Sequence, residues 1–312
     1  MGERRLMTME SDTAMMIAFE AARPAMFGIA YRMLGTHSDA EDVLQDVFLR
    51  WSGVDQSMIR NATAWLITAC TRRSIDVLRS VARARTDYVG PWLPEPLAGE
   101  AINEPRDLSL ALETAFLILL ERTSPRERAA FLLHEIFGLA HAEVGTILGT
   151  SEASSRKLTS RARTHMACAH QRTRLDPARQ RILLTAFQNA IMTEDMAAFS
   201  TVLTDDVRLE ADGGGKAPAL VEPLHGRDAV LAFCERTKAW WRGYRWAIVP
   251  LATGYGVVLY DGPGVAATIW FDGDDGERVS HIYIMRNPDK LQSVRVEAEP
   301  PRYVMTIPRS PS

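Results

Sequence analysis

The sequence predicts a multidomain chain: two all-α domains in succession, the second containing a helix-turn-helix, followed by an α+β domain. Three observations carry this. Apolar residues recur at helical spacing from about Asp12 to Arg85 and again from about Leu108 to Ala169. Between those stretches lies "DYVGPWLPEPLAGEAINEP" (Asp87–Pro105), whose four prolines and two glycines break regular structure. At Asp176-Pro177 the texture changes to short β-branched and aromatic runs punctuated by Gly and Asp. The expected boundaries within the 312 residues are 12–86, a linker at 87–106, 107–174, 176–296, and a tail at 297–312.

Taken in order, "THSDAEDVLQDVFLRW" reads as a helix whose Ser38 and Glu41 have the spacing of a capping box. Val43, Leu44, Val47, Phe48 and Trp51 then share one side. "SPRERAAFLL" opens a later helix, with Ser124 as cap, Pro125 at the first helical position and Glu127 closing the box. "AHAEVGTILGTSEASSRKLTSRARTHM" reads as helix, tight turn at Gly149-Thr150, helix. Beyond Asp176, one helix, "PARQRILLTAFQNAIM", precedes the strand-like runs "DVRLEA", "YRWAIVPL", "GYGVVLYD", "GVAATIWFDG" and "RVSHIYIM".

Charge is unevenly distributed. The whole chain carries 36 Lys+Arg against 39 Asp+Glu, a net charge of −3. Yet Gln56–Thr86 holds six arginines against Asp76, and Ser151–Arg174 holds six Lys/Arg against Glu152. Between Asp39 and Asp55 the balance reverses, with five acids against Arg50. In the first basic stretch Thr68, Arg72, Arg79 and Arg83 share a stripe able to follow a phosphate backbone. Asn61 sits upstream in the loop Ile59–Thr63, and Trp65 is open to two readings, a stacking platform for an unpaired base or a core anchor. In the second, Arg156, Ser160 and Arg163, flanked by Lys157 and Thr164, form the polar side of a helix fit for a major groove. Leu158, Ala162, His165, Met166 and Ala169 are expected to face the core. The acidic helix turns Asp42, Gln45, Asp46 and Leu49 outward; a leucine among acids reads either as a docking face for a basic protein or as a solvated surface.

Other classes find little support. The longest apolar run nearby, Ala115–Leu120, is far short of a membrane span, and the first residues lack the apolar core of a signal peptide, so a cytoplasmic location is expected. Cys70, Cys168 and Cys234 form no metal or disulfide spacing and are expected to be buried thiols. No catalytic residue, metal or cofactor is assigned. For the last domain, Asp212 and His225 are the acid/base candidates an isomerase or cyclase would need, with Trp240, Trp241, Trp246 and Trp270 available as walls. The competing reading makes those tryptophans core and the glycine run after Asp212 a matter of backbone shape.

"AYRMLGTHSDAEDVLQDVFLRW", "WLITACTRRSIDVLRS" and "SPRERAAFLLHEIFGLAHAEVGTILGTSEASSRKLTSRAR" resemble regions 2 and 4 of the bacterial extracytoplasmic-function sigma factors, over about Met15–Ala169. The last domain resembles the cone-shaped SnoaL-like, NTF2-like fold, and "WLPEP", "DGGGK" and "NPDKL" resemble the subgroup that carries such an extension. The resemblance implies core RNA polymerase (its β′ clamp coiled coil and β flap) and promoter DNA as partners, and a monomer when free. Asp42, Gln45, Asp46 and Leu49 would bind the clamp. Asn61, Arg72, Arg79 and Arg83 would engage the −10 element, and Ser155, Arg156, Lys157, Ser160 and Arg163 the −35 element. The extension would act as a built-in regulator through Trp92, Leu93, Pro94, Asp212, Lys216, Asn287, Pro288, Asp289, Lys290 and Leu291, the linker's Trp92 and Leu93 being exposed until a partner surface covers them. Two readings compete: a helix-turn-helix regulator with a ligand-binding domain, and a SnoaL-like isomerase or cyclase. The serine-rich "SEASSRK" departs from related recognition helices, which often carry larger residues there.

Overall fold

The computed structural model describes residues 2–55, 58–84, 88–96, 117–118, 120–167, 175–251, 254–274, 277–292 and 294, with the backbone alone at 2–12 and 81–84. Two compact units emerge, one of residues 1–87 and 104–170, the other of residues 88–103 and 171–312. The described part of the expected linker, residues 88–96, thus belongs to the C-terminal unit. Cys168, Arg172, Arg174 and the tail lie outside the described residues.

The first unit opens with three helices, α1 (Gly2–Leu34), α2 (His37–Ser52) and α3 (Ala62–Ala84). Met26, Ala30, Met33 and Leu34 of α1 interleave with Val43, Leu44, Val47 and Trp51 of α2 and Leu66, Cys70 and Leu78 of α3, all buried. The cap of α2 differs from expectation. Thr36, two residues before Ser38, takes Asp39 N on its hydroxyl, and Glu41 instead accepts from Arg23 Nη2 at 2.7 Å. Trp65 sits half-buried with its ring 5.2 Å from that of Trp51, closer to the anchor reading than to a free platform. Burial pushes the Cys70 thiol up to about 12, which leaves it inert.

The same unit continues with α4 (Pro125–Phe131), a π-helical turn (Leu132–Ile136), α5 (His141–Leu148) and α6 (Glu152–Ala167). The capping box of α4 forms as expected from Ser124 and Glu127, with Pro125 inside it. Gly149 ends α5 at φ 61°, the left-handed geometry that favours glycine, and sets the turn into α6.

In the C-terminal unit α7 (Pro177–Thr193), α8 (Met196–Thr201) and α9 (Arg227–Trp241) pack on one face of a six-stranded sheet. The strands are β1 (Leu203–Asp212), β2 (Leu224–His225), β3 (Arg245–Leu251), β4 (Gly254–Asp261), β5 (Gly264–Asp274) and β6 (Arg278–Met285), in the order β2-β1-β6-β5-β4-β3. β1 and β6 run parallel; the other neighbours are antiparallel. This is the α+β architecture expected, with three helices where the sequence pattern showed one and with β2 unforeseen. The core face joins Leu183, Leu184 and Phe187 of α7 and Phe199 of α8 to Val207, Leu209, Ile269, Phe271, Ile282 and Ile284. Phe187 lies within 5.0–6.3 Å of the rings of Phe199, Trp241, Trp246 and Phe271, so aromatic side chains fill the interior. Among the described residues no helix is long and apolar enough to cross a membrane.

Candidate nucleic-acid interface and linker-binding site

The buried side of α6 is not the one the apolar pattern predicts. Ser155, Thr159 and Ala162 are buried, Leu158 and Met166 half-buried, and His165 exposed. Two hydroxyls therefore take the place of apolar anchors. Thr159 Oγ1 donates to Ser155 O at 3.2 Å, and Ser155 Oγ meets His141 Nδ1 at 3.2 Å. Ser155, expected among the −35 contacts, is instead fully buried against α5. Arg156, Lys157, Ser160 and Arg163 stay on that face. Arg156 is paired with Glu152 on its own helix and Arg163 with Glu135 of the π turn.

On α3, Arg79 is exposed, 3.7 Å from Asp76. Asn61 is exposed and caps the helix, its Oδ1 accepting from Ala64 N at 2.9 Å. Arg83 lies where only the backbone is described. Arg72 has a further partner: its Nε donates to Ile147 O at 2.9 Å and its Nη2 to Thr146 O at 3.4 Å. On α2, Asp42 and Gln45 are exposed and Leu49 is 62% exposed. Asp46 is half-buried and holds Arg73 Nε at 2.6 Å. The acidic face is thus partly tied into its own domain.

The three strings of the regulatory prediction converge within the C-terminal unit. Asp212, at the end of β1, is fully buried and uses both carboxylate oxygens. Oδ1 accepts from Tyr88 OH at 2.5 Å and from Gly214 N at 3.0 Å. Oδ2 accepts from Leu93 N at 2.9 Å and from Lys290 Nζ at 2.7 Å. Lys290 also donates to Leu93 O at 2.5 Å, and its ammonium lies 4.1 Å from the Trp92 ring centre and 5.3 Å from that of Tyr88. Asn287 Nδ2 donates to Tyr88 OH at 3.0 Å, while its Oδ1 caps the short 3-10 turn Pro288–Lys290 through Asp289 N. Lys216 pairs with Asp289 at the rim. Gly214, at φ 61°, passes so close to Asn287 that a Cβ there would fall 2.3 Å from Nδ2. Leu93, expected to be exposed, has no exposed surface; Pro94 and Leu291 are buried as well.

The acid/base pair considered for the last domain is not assembled. His225 is exposed and pairs in register with Arg208, four residues and about 13 Å along β1 from Asp212. Trp241, Trp246 and Trp270 are buried; Trp240 is 37% exposed, with Arg286 over its ring at 4.0 Å. Sequence reasoning missed Tyr88, which both Asp212 and Asn287 contact. Its only signal was its place four residues before Trp92 in a proline-rich stretch.

Comparison with known proteins agrees with this geometry. The sigma-70 region 2 family matches residues 18–84, and the sigma-70 region 4 family matches residues 116–166. The chain is 39% identical over 223 residues to the ECF RNA polymerase sigma factor SigJ of Mycobacterium tuberculosis, covering 69% of this chain and 70% of that one. It is 30% identical over 247 residues to the probable ECF RNA polymerase sigma factor SigI of the same species, covering 71% and 85%. The crystal structure of the Mycobacterium tuberculosis extracytoplasmic function sigma factor SigJ superposes with a TM-score of 0.69 at 30% identity, covering 88% of this chain and 98% of that one. The chain therefore belongs to the extracytoplasmic-function RNA polymerase sigma factors, alternative sigma factors that direct transcription.

Proposed function

We propose that this sigma factor divides its contacts by charge and regulates itself through its linker. The exposed face of α2, with Asp42, Gln45 and Leu49 beside Asp46, docks on the β′ clamp of core polymerase, and region 4 meets the β flap. Asn61, Arg72, Arg79 and Arg83 engage the −10 element. Arg156, Lys157, Ser160 and Arg163 reach the −35 element from α6, the arginines exchanging Glu152 and Glu135 for phosphate or base edges. The C-terminal unit is a regulator, not an enzyme: Asp212 has four donors on it, and aromatic side chains fill the interior.

One observation carries the regulatory part. The linker's Tyr88 and Leu93 and the C-terminal Lys290 meet on a single buried carboxylate. Residues 88–96 lie between regions 2 and 4 in the chain, so holding or releasing them sets the tether between those two domains. The C-terminal unit thereby biases an equilibrium between a polymerase-competent form and a closed one. In vitro transcription with core polymerase is the test. The full chain confers promoter-specific initiation, and a chain ended after Asp176 gives altered output. Unaltered output from both that truncation and substitutions across Asn287–Leu291 would defeat the regulatory role. Initiation that never depends on the chain would defeat the whole reading. Operator binding by the free protein as a dimer, or turnover of a hydrophobic ketone, would favour the two competing readings.

A further inference from the structure

The first unit contains a self-contact that neither charge patterning nor family membership announces. A helix leaves its last four carbonyls without intrahelical donors. At the end of α5 all four are accounted for. Thr150 N takes Gly145 O at 2.8 Å, and Gly149 N takes Thr146 O at 3.2 Å. Arg126 Nη2 takes Leu148 O at 2.7 Å. The remaining carbonyl, Ile147 O, is taken by Arg72 Nε from α3 in region 2 at 2.9 Å, and Arg72 Nη2 reaches Thr146 O as well. The reciprocal contact exists too. Arg128 of α4 in region 4 donates through Nη1 to Met33 O, in the last turn of α1, at 2.6 Å, and pairs with Glu121 at 2.9 Å. Each domain thus places a guanidinium on the negative end of a helix in the other. Arg32 adds to the seam: it is buried, stacks over Phe137 of region 4 at 5.7 Å, and desolvation brings its pKa down to about 10.

We propose that these crossed arginine caps close regions 2 and 4 on each other from within the sigma core, in addition to the bias that the linker latch sets. The proposal rests on the reading of α3 as a promoter-facing helix, because it gives Arg72 a second occupation. While Arg72 caps α5, its guanidinium is taken from the phosphate stripe it would otherwise share with Arg79 and Arg83. Closure and engagement of the −10 element then compete for one side chain.

The test is the distance between regions 2 and 4 in the free full-length chain. Dyes go on Ser52→Cys and Ala153→Cys, both exposed positions, with Cys168 replaced by Ser. Cys70 and Cys234 are buried with thiols near 12 and label slowly. Arg72→Gln, at an exposed site and with folding checked by helical circular dichroism, is expected to lower the closed-to-open ratio about three- to five-fold. Lys290→Gln, which weakens the linker latch, is expected to lower that ratio as well, and the two substitutions together to lower it by the product of their separate effects. Two results overturn the proposal: Arg72→Gln as closed as the parent, or Arg72→Gln adding no opening to that of Lys290→Gln. Neither touches the sigma-factor reading, which stands or falls on initiation with core polymerase.

Discussion

Asp212 accepts from a phenol, two backbone amides and an ammonium while wholly removed from water. Each donor offsets part of the cost of burying the charge, and removing one partner of such a pair leaves the other charge uncompensated. Asp212→Asn is therefore expected to destabilise the C-terminal unit by about 3–5 kcal/mol in urea titrations that follow its tryptophans. Replacing both charges, Asp212→Leu with Lys290→Met, should recover only part of that loss, because Leu93 N and Gly214 N lose their acceptor. Of the two readings of the stretch after Asp212, the one from backbone shape agrees with Gly214 at φ 61° against Asn287. It could not show that the carboxylate is a hub, because Tyr88 and Leu93 lie more than a hundred residues away along the chain. A second residue-scale expectation concerns His141. Its ring stacks on His134 at 3.8 Å. The charged groups around this pair are Glu135, bound to Arg163, and Glu152, bound to Arg156. Desolvation first, then His134 and Arg156, hold His141 below the usual histidine range, outweighing Glu152. The unfolded chain then takes up this proton more readily than the folded one. Stability is unaffected above about pH 6.5 and falls as pH drops below it. Thermal unfolding at pH 7.5 and 5.5 should show this decline, and His141→Gln should flatten it.

At the scale of elements, α6 shows why its polar side was legible and its buried side was not. Arg156, Lys157, Ser160 and Arg163 announced themselves by charge and remain on the exposed face. The buried stripe of Ser155, Thr159 and Ala162 carries no hydrophobic signal: Ser155 Oγ meets His141 of α5, and Thr159 Oγ1 reaches Ala130 O of α4. A Cβ on Gly145 would stand 2.8 Å from Thr150 O. Lys157→Ala is expected to weaken promoter binding by the holoenzyme about equally across sequences and to lower the salt slope by about one. The turn between α5 and α6 depends on Gly149 at φ 61°, where a Cβ meets no neighbour but strains the backbone. Gly149→Ala should cost about 1 kcal/mol, read as a lower melting temperature. The caps divide the same way. Ser124, Pro125 and Glu127 form the box their spacing announces. At α2 the expected Ser38 box does not form: Thr36 accepts from Asp39 N, and Glu41 pairs with Arg23 instead.

For the whole molecule the regulatory proposal makes one further demand. Tyr88→Phe removes a hydroxyl that serves both Asp212 and Asn287, and is expected to shift transcription output in the same direction as truncation after Asp176, by a smaller amount. Matched in vitro transcription with the two proteins measures it. The sequence by itself determined the order of helical and α+β parts, the helix-turn-helix, the cationic and anionic helices and the family. These follow from periodicity, turn residues and local charge, which are properties of neighbours along the chain. Only the tertiary structure decided that linker residues 88–96 belong to the C-terminal unit, that Asp212 organises them, that Ser155 is buried, and that Arg72 caps a helix of the other domain. Each of those depends on which distant carbonyl or carboxylate comes within hydrogen-bonding reach, about 3 Å, and no spacing rule along the chain encodes that.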